Sequence, residues 1–167
     1  MSLTEKIAAD TQKNNLIALR EQLAERNLNS SVLRKILHPD SSNILKEVLR
    51  KINEGVGEKV FYTWPSPDCE SHLTTRLANL GSREKTVLCF FPNYSSRIDC
   101  VISDLPVLEV SSDMIEEWYK LAKSLGLHFF LCCSNDFREG IALDVYEADP
   151  GVHGVAGAVC DLFYWKV

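Results

Sequence analysis

The chain has 167 residues, of which 46% are hydrophobic and 25% charged, with eight Gly, six Pro and a formal net charge of −5. This composition excludes collagen-like, low-complexity and intrinsically disordered proteins, and the length suits a single domain with its own core. No apolar run approaches the roughly 20 residues of a membrane helix, and no basic segment followed by an apolar one opens the chain. We therefore expect a cytoplasmic protein without a membrane partner.

Residues 1–54 show the apolar spacing of helices and contain no Gly. A polar stretch separates the first helix from a second, short helix that is predicted over residues 32–37. A third helix is predicted over residues 44–52, and it ends at Gly55, which supplies a left-handed terminal residue. We expect these segments to form an N-terminal helical arm that packs on, or projects from, the rest of the chain.

Beyond Gly57, short apolar runs rich in β-branched and aromatic residues predict strands. Between the first two strands, Asp68 is expected to cap a helix that continues to Leu80 and buries one apolar side. The strands predicted in this part of the chain are residues 59–64, 86–91, 98–103 and 106–110.

The C-terminal part opens with a well-defined helix signal. Asp113 and Glu116 form a capping box, which predicts an amphipathic helix over residues 113–125. A turn is predicted at Asp149-Pro150-Gly151. The strands predicted around it are residues 128–134, 140–147 and 155–167.

Runs of neighbouring strands dominate after the helical arm, and such runs favour hairpins over parallel crossovers. The sequence therefore predicts an α+β fold with a mixed, mainly antiparallel sheet of five to seven strands and two packed helices. We expect a single domain over residues 1–167, with the helical arm at 1–54 and the sheet core at 58–167.

Six cysteines are present. Cys89, Cys132 and Cys160 lie inside apolar runs, where a free cysteine behaves as a small buried hydrophobe. Because disulfides persist mainly in short secreted chains, we expect reduced thiols.

Cys69 and His72 lie three residues apart near the start of a predicted helix, so both side chains can face one side. A Cys–His pair supplies the nucleophile and the base of cysteine-dependent enzymes, and a helix N-terminus lowers a thiol pKa. The sequence identifies neither an orienting third residue nor oxyanion donors. A hydrolase or transferase with Cys69 and His72 as catalytic residues is one interpretation, and a surface helix start is the other.

No metal or cofactor motif is complete. Zinc sites take about four Cys or His ligands in two close pairs, and no second pair accompanies Cys69 and His72. Residues 151–157 have the glycine density of a phosphate loop but lead into a predicted strand, whereas phosphate loops lead into a helix. We therefore expect no metal and no cofactor.

Several aspartates lie on predicted strands or at their ends. Two of them could meet as an acid–base pair, or they could line the solvated face of a sheet. The aspartates in question are Asp99, Asp104, Asp136, Asp144 and Asp161.

Acidic side chains are concentrated towards the C-terminus. From Asp99 to the end there are twelve acidic and four basic residues, a net charge of −8. Such a region repels nucleic acid and anionic membranes and attracts a basic protein partner. The candidate partner-binding residues are Asp144, Tyr146, Glu147 and Asp149, which combine carboxylates with an aromatic ring.

These patterns favour a non-enzymatic, acidic protein-binding module. One concrete form is an immunity-type neutraliser of a basic toxin or nuclease, in which carboxylates occupy the site meant for phosphates. The alternatives are the cysteine-dependent enzyme and a homodimer formed by the N-terminal helices. The apolar residues expected to form that dimer are Leu16, Leu19, Leu23, Ile44 and Val48.

Overall fold

A computed structural model describes residues 2–25, 27, 34–36, 40–54, 57–90, 107–124 and 129–167. The helices are α1 (Leu3–Glu25), α2 (Asp40–Asn53), α3 (Pro67–Gly81), α4 (Ile115–Ser124) and the single-turn α5 (Pro150–His153). The strands are β1 (Arg34–Ile36), β2 (Glu58–Thr63), β3 (Thr86–Phe90), β4 (Val107–Ser111), β5 (Phe129–Cys133), β6 (Glu139–Glu147) and β7 (Ala158–Lys166). This arrangement confirms the predicted α+β fold.

The strands form one sheet in the order β1-β4-β3-β5-β6-β7-β2. Every described strand pair is antiparallel, so this part of the sheet contains none of the parallel pairs that a mixed sheet would have. The longest ladder joins β6 and β7 through nine residue pairs, from Glu139 opposite Lys166 to Glu147 opposite Ala158. β1 and β2 form the two edges.

Helices cover both faces of the sheet. Successive side chains of a strand point to opposite faces, and β5 separates them clearly. Phe130 and Cys132 pack in a cluster with α3 and α4. Leu131 and Cys133 pack in a second cluster with α2. We name these two sides of the sheet the α3–α4 face and the α2 face.

The α3–α4 face holds the larger core. Leu73, Leu77 and Leu80 of α3 recur at helical spacing and are fully or almost fully buried, and Trp118 and Leu121 of α4 pack into the same cluster. Helix α1 also reaches this core through the buried Leu16. The Gln12 side chain donates to Ser41 Oγ at 3.1 Å, which joins α1 to α2. The N-terminal segment is therefore packed onto the rest of the chain.

The predicted helix over residues 32–37 is wrong where the structure describes it, because Arg34–Ile36 is strand β1. Arg34 pairs with Glu109 and Ile36 with Val107 on β4. This short segment has no decisive local preference, and the hydrogen bonds of a neighbouring strand determine its conformation.

Helix starts differ by a few residues from those predicted. Ser66 rather than Asp68 caps α3, since its side chain accepts from the Cys69 amide at 3.1 Å and Pro67 takes the first helical position. α4 begins at Ile115 after a 3₁₀ turn, Ser112–Met114. The turn predicted at residues 149–151 leads into α5. The strand predicted over residues 98–103 lies outside the described residues.

Trp165 lies against Gly140 on the α2 face. The register places the two residues opposite each other, and the indole Nε1 donates to the Phe137 carbonyl at 3.0 Å. A Cβ on Gly140 would lie 2.2 Å from the indole ring and 2.8 Å from the Cβ of Cys133. Position 140 therefore requires glycine for the close approach of the ring.

Gly140→Ala is expected to lower the free energy of unfolding by about 1–3 kcal/mol, because an added methyl group overpacks a closed core. Urea denaturation followed by circular dichroism measures this change. Gly151→Ala is the matched control, since its added Cβ would lie 3.2 Å from the Asp149 carboxylate in an exposed turn. Equal stability of the two variants would contradict the expected packing at Gly140.

Candidate functional site

The β6–β7–β2 end of the sheet brings acidic and aromatic side chains together on the α2 face. Asp144 lies opposite Asp161, and Asp161 lies opposite Phe61. Residues that are opposite in antiparallel strands share a face, so these three form a row across the sheet. With their neighbours they form what we name the aromatic–acidic face, which comprises Lys59, Phe61, Asp144, Tyr146, His153 and Asp161.

The β6–β7 connection positions His153 over this face. Asp149 caps α5, since its carboxylate accepts from the Gly151 amide at 2.8 Å. Gly154 ends the helix with a φ of 69°, a left-handed conformation that glycine adopts without strain. Because the helix is a single turn closed at both ends, it holds His153 at a fixed place above the strands.

Three rings lie side by side on the aromatic–acidic face. The His153 ring stacks on Phe61 with centroids 5.6 Å apart and planes 6° apart. On its other side it meets Tyr146 at 5.6 Å with a tilt of 59°. Phe61 nevertheless remains 42% exposed. The rings therefore form an ordered apolar surface that solvent reaches.

The Asp161 carboxylate contacts both polar neighbours on this surface, Tyr146 and Lys59. Its Oδ2 accepts from the Tyr146 hydroxyl at 3.1 Å and lies 2.7 Å from the Lys59 ammonium. The Lys59 side chain is 60% exposed and that of Asp161 16%. Burial, and after it the negative charge of Asp161, raises the pKa of Tyr146, so this hydroxyl remains a protonated donor to the carboxylate at neutral pH.

The four predicted partner-binding residues do not share one face. Asp144 and Tyr146 lie on the aromatic–acidic face, two residues apart on β6. Glu147 is exposed at the end of β6, and strand alternation directs it to the other side of the sheet. Asp149 is exposed and caps α5. The structure thus brings two of the four together and places the others beside them.

The partner-binding prediction omits Lys59, Phe61, His153 and Asp161. Asp161 appears in the sequence only as one of several strand aspartates, and its place opposite Asp144 depends on the β6–β7 register. Turn residues at 149–151 signal a hairpin, and a hairpin pairs these two strands. The turn at 149–151 does not give the register, because the ladder is centred between residues 152 and 153, so no local signal places Asp161 opposite Asp144.

Cys69 and His72 take part in different contacts. Cys69 is fully buried, and its Sγ accepts from Cys160 Sγ at 3.5 Å. His72 lies with Nδ1 at 3.0 Å from the Tyr62 hydroxyl, and its Nε2 accepts from Arg76 Nε at 3.3 Å. Burial raises the pKa of Cys69, and the thiol of Cys160 offsets part of this effect. Each residue of the predicted pair is therefore engaged elsewhere.

Arg76 extends the His72 contacts into a network beside α3. Its guanidinium bonds Glu58 at 3.0 Å and lies 4.2 Å from the centroid of the Tyr164 ring. The Tyr164 hydroxyl donates to Glu139 at 2.6 Å, and Glu139 is also paired with Arg83. Charge is matched within this network, and its bonds join α3 to β2, β6 and β7.

Among the described residues, no three His, Cys, Asp or Glu side chains are grouped so as to hold a metal ion. Within the same ranges, no helix has the length and apolar character required to cross a membrane. No family model, curated protein or solved structure matches the chain.

Native Cys69 is expected to react with iodoacetamide at neutral pH at least tenfold more slowly than in the urea-unfolded chain. Burial shields the thiol and disfavours the thiolate, which is the reactive form. Quenched time points analysed by peptide mass spectrometry give the rate at each cysteine. Fast and selective modification of native Cys69 would contradict this expectation and favour the cysteine-dependent enzyme.

Proposed function

We propose that this protein is a non-enzymatic binding module for a basic protein partner, and that the aromatic–acidic face is the contact surface. The observation that carries this proposal is the row of Phe61, Asp161 and Asp144 beside the Tyr146 and His153 rings. In its finer form the proposal is an immunity-type neutraliser, whose carboxylates take the place of phosphate on a cationic toxin or nuclease.

The charge around this face supports a basic partner. On the face itself, Asp144 and Asp161 carry two negative charges against the one positive charge of Lys59, and the exposed Asp149 adds another negative charge beside it. Complementary charge accelerates association and discourages partners of the wrong sign. An acidic surface of this kind also repels nucleic acid, because the phosphate backbone carries the same sign.

The aromatic rings support a protein partner in particular. Binding energy in protein interfaces is concentrated in a few residues, and aromatic side chains are enriched among them. Phe61 and Tyr146 are held in place by His153 before any partner arrives. Less rotamer freedom is therefore lost on binding than with mobile rings.

The cysteine-dependent hydrolase or transferase is the alternative proposal. Its two residues contact Cys160, Tyr62 and Arg76. These contacts favour the binding module as the first proposal, and the alkylation rates of Cys69 test the alternative.

Neutralising three carboxylates should weaken capture of a basic partner at least tenfold, which corresponds to about 1.4 kcal/mol of binding free energy. The variant is Asp144→Asn, Asp149→Asn and Asp161→Asn, of which the first and last lie on the aromatic–acidic face and Asp149 caps α5 beside it, where asparagine can still accept the capping hydrogen bond. Immobilised protein is incubated with lysate of the native host at about 0.1 M and about 1 M salt, between which the Debye length falls from about 10 Å to about 3 Å.

The matched control removes three charges from the region of α4, on the opposite face of the sheet. It is Asp113→Asn, Glu116→Gln and Glu117→Gln, all exposed in the structure. Under the proposal, mass spectrometry identifies a basic protein that the wild-type protein and the control variant both capture at low salt. The first variant does not capture it, and the wild-type protein loses it at high salt. Equal loss from both variants, or no basic protein at low salt, would contradict the proposal.

A homodimer formed by α1 is a second candidate function. Leu16 and Val48, two residues expected to form the dimer, are buried in the chain's own core, and the side chains of Leu19 and Leu23 lie outside the described residues. α1 instead exposes a stripe of large apolar side chains. Its members are Leu3, 75% exposed, and Ile7 and Ile17, each 58% exposed.

If α1 forms the dimer, Ile7→Glu with Ile17→Glu should convert it to a monomer, because two charges enter an apolar contact. Light scattering after size exclusion gives the mass at several concentrations. Val152→Glu, at an exposed apolar residue outside α1, should leave the dimer intact. A wild-type protein that is monomeric throughout would exclude this candidate.

A further inference from the structure

Strand β2 is the longer of the two edges of the sheet. It has six residues, Glu58–Thr63, whereas β1 at the other edge has three. β2 pairs with β7 on one side, and within the described residues no strand pairs with its other side. An edge strand of this length presents a row of backbone donors and acceptors that another extended chain can complete.

The register defines which residues of β2 direct their backbone to this edge. The Trp64 amide donates to the Ala158 carbonyl at 2.8 Å, so this pair exchanges hydrogen bonds with β7. Hydrogen-bonded and non-hydrogen-bonded pairs alternate along an antiparallel ladder. Val60 and Tyr62 therefore bond to β7, whereas the N–H and C=O groups of Lys59, Phe61 and Thr63 point away from it.

We propose that β2 accepts an extended basic segment of the partner as an eighth strand of the sheet, antiparallel to β2 like every other described pair. This inference rests on the proposed function and specifies how the partner binds. Backbone hydrogen bonds to Lys59, Phe61 and Thr63 supply affinity, and alternate side chains of the segment supply specificity, as in other cases of strand addition.

The position of Phe61 determines which side chains of the segment contact the aromatic–acidic face. A segment residue opposite Phe61 directs both its backbone towards β2 and its side chain onto the aromatic–acidic face. Its Cβ lies about 5 Å from that of Phe61. An arginine at this position places its guanidinium over the exposed Phe61 ring, which is an attractive cation–π contact. The same guanidinium lies on the side of the sheet that carries Asp161 and Asp144.

Charge selects the partner segment over a second copy of this chain. Each copy carries a net charge of −5, so two copies repel each other as they approach. The charged residues of β2 are Glu58 and Lys59, which contact Arg76 and Asp161 within their own chain. A basic segment instead adds opposite charge beside the carboxylates.

The test uses a blocked octapeptide that alternates threonine and arginine as the probe. Two derivatives with the same charge carry N-methyl groups, one on every arginine and the other on every threonine. In the proposed arrangement the arginine amides face β2 and the threonine amides face away. N-methylation of the arginines should therefore weaken binding to the wild-type protein at least tenfold, and N-methylation of the threonines should change it less than threefold.

Thr63→Pro tests the protein side of the same contact. It removes an outward-facing N–H, and proline is tolerated in an edge strand at such a position. We expect at least tenfold weaker binding of the unmodified peptide, with Thr63→Val unchanged as the control. Amide exchange followed by NMR should show that the peptide protects the Phe61 and Thr63 amides and leaves Val60 and Tyr62 as they were.

The outcomes separate this inference from the proposed function. If both N-methyl peptides bind equally and Asp161→Asn weakens both, the basic ligand binds the face without adding a strand, and the inference is wrong while the proposed function stands. If the peptide fails to bind the wild-type protein, strand addition is overturned, and capture by the carboxylate variants still decides the proposed function. A wild-type dimer that Thr63→Pro dissociates would show a second copy at this edge and overturn the inference.

Discussion

The nine-residue ladder between β6 and β7 is the interaction on which the other features depend. It determines which side chains face α2 and which face α3 and α4, because a shift of one residue would exchange the two faces of every later pair. The same register brings Trp165 over Gly140 at one end of the ladder and Asp144 opposite Asp161 further along. Core packing and the aromatic–acidic face are therefore two results of one pairing. A change that loosened this ladder would alter both.

Two carboxylates directly opposite each other in a sheet repel, and such a pair lowers stability. In this structure Lys59 and the Tyr146 hydroxyl offset the charge of Asp161. By contrast, the network of Arg76, Glu58, Glu139 and Arg83 beside α3 matches its charges within the chain. The α3–α4 side of the sheet thus matches its charges within this network, whereas the α2 side carries two opposed aspartates next to the exposed Phe61 ring. Residues that destabilise the free protein are common where a surface is shaped for binding.

The fold class was accessible from the sequence because apolar periodicity distinguishes helices such as α4 from strands such as β6. The strand at Arg34–Ile36 could not be predicted from the sequence. These three residues have little local preference, and they form a strand only by pairing with β4, more than seventy positions away. The site shows the same division. Strand alternation alone places Asp144 and Tyr146 on one face. Phe61 and Asp161 join them through the β2–β7 and β6–β7 registers, and His153 joins them through a single-turn helix whose residues read as a simple turn. These are long-range or turn-geometry effects, and no local pattern contains them.

The tryptophans are divided between the two sides of the sheet. Trp118 is fully buried on the α3–α4 face and Trp165 on the α2 face, while the half-buried Trp64 packs with the former. Each layer consequently contains its own intrinsic fluorophore. Variants that keep either Trp118 or Trp165 as their single tryptophan would each report the solvation of one layer. Their emission curves against denaturant would coincide if the two layers unfold together and separate if they do not. Tryptophan fluorescence can therefore measure whether the two layers of this protein unfold cooperatively.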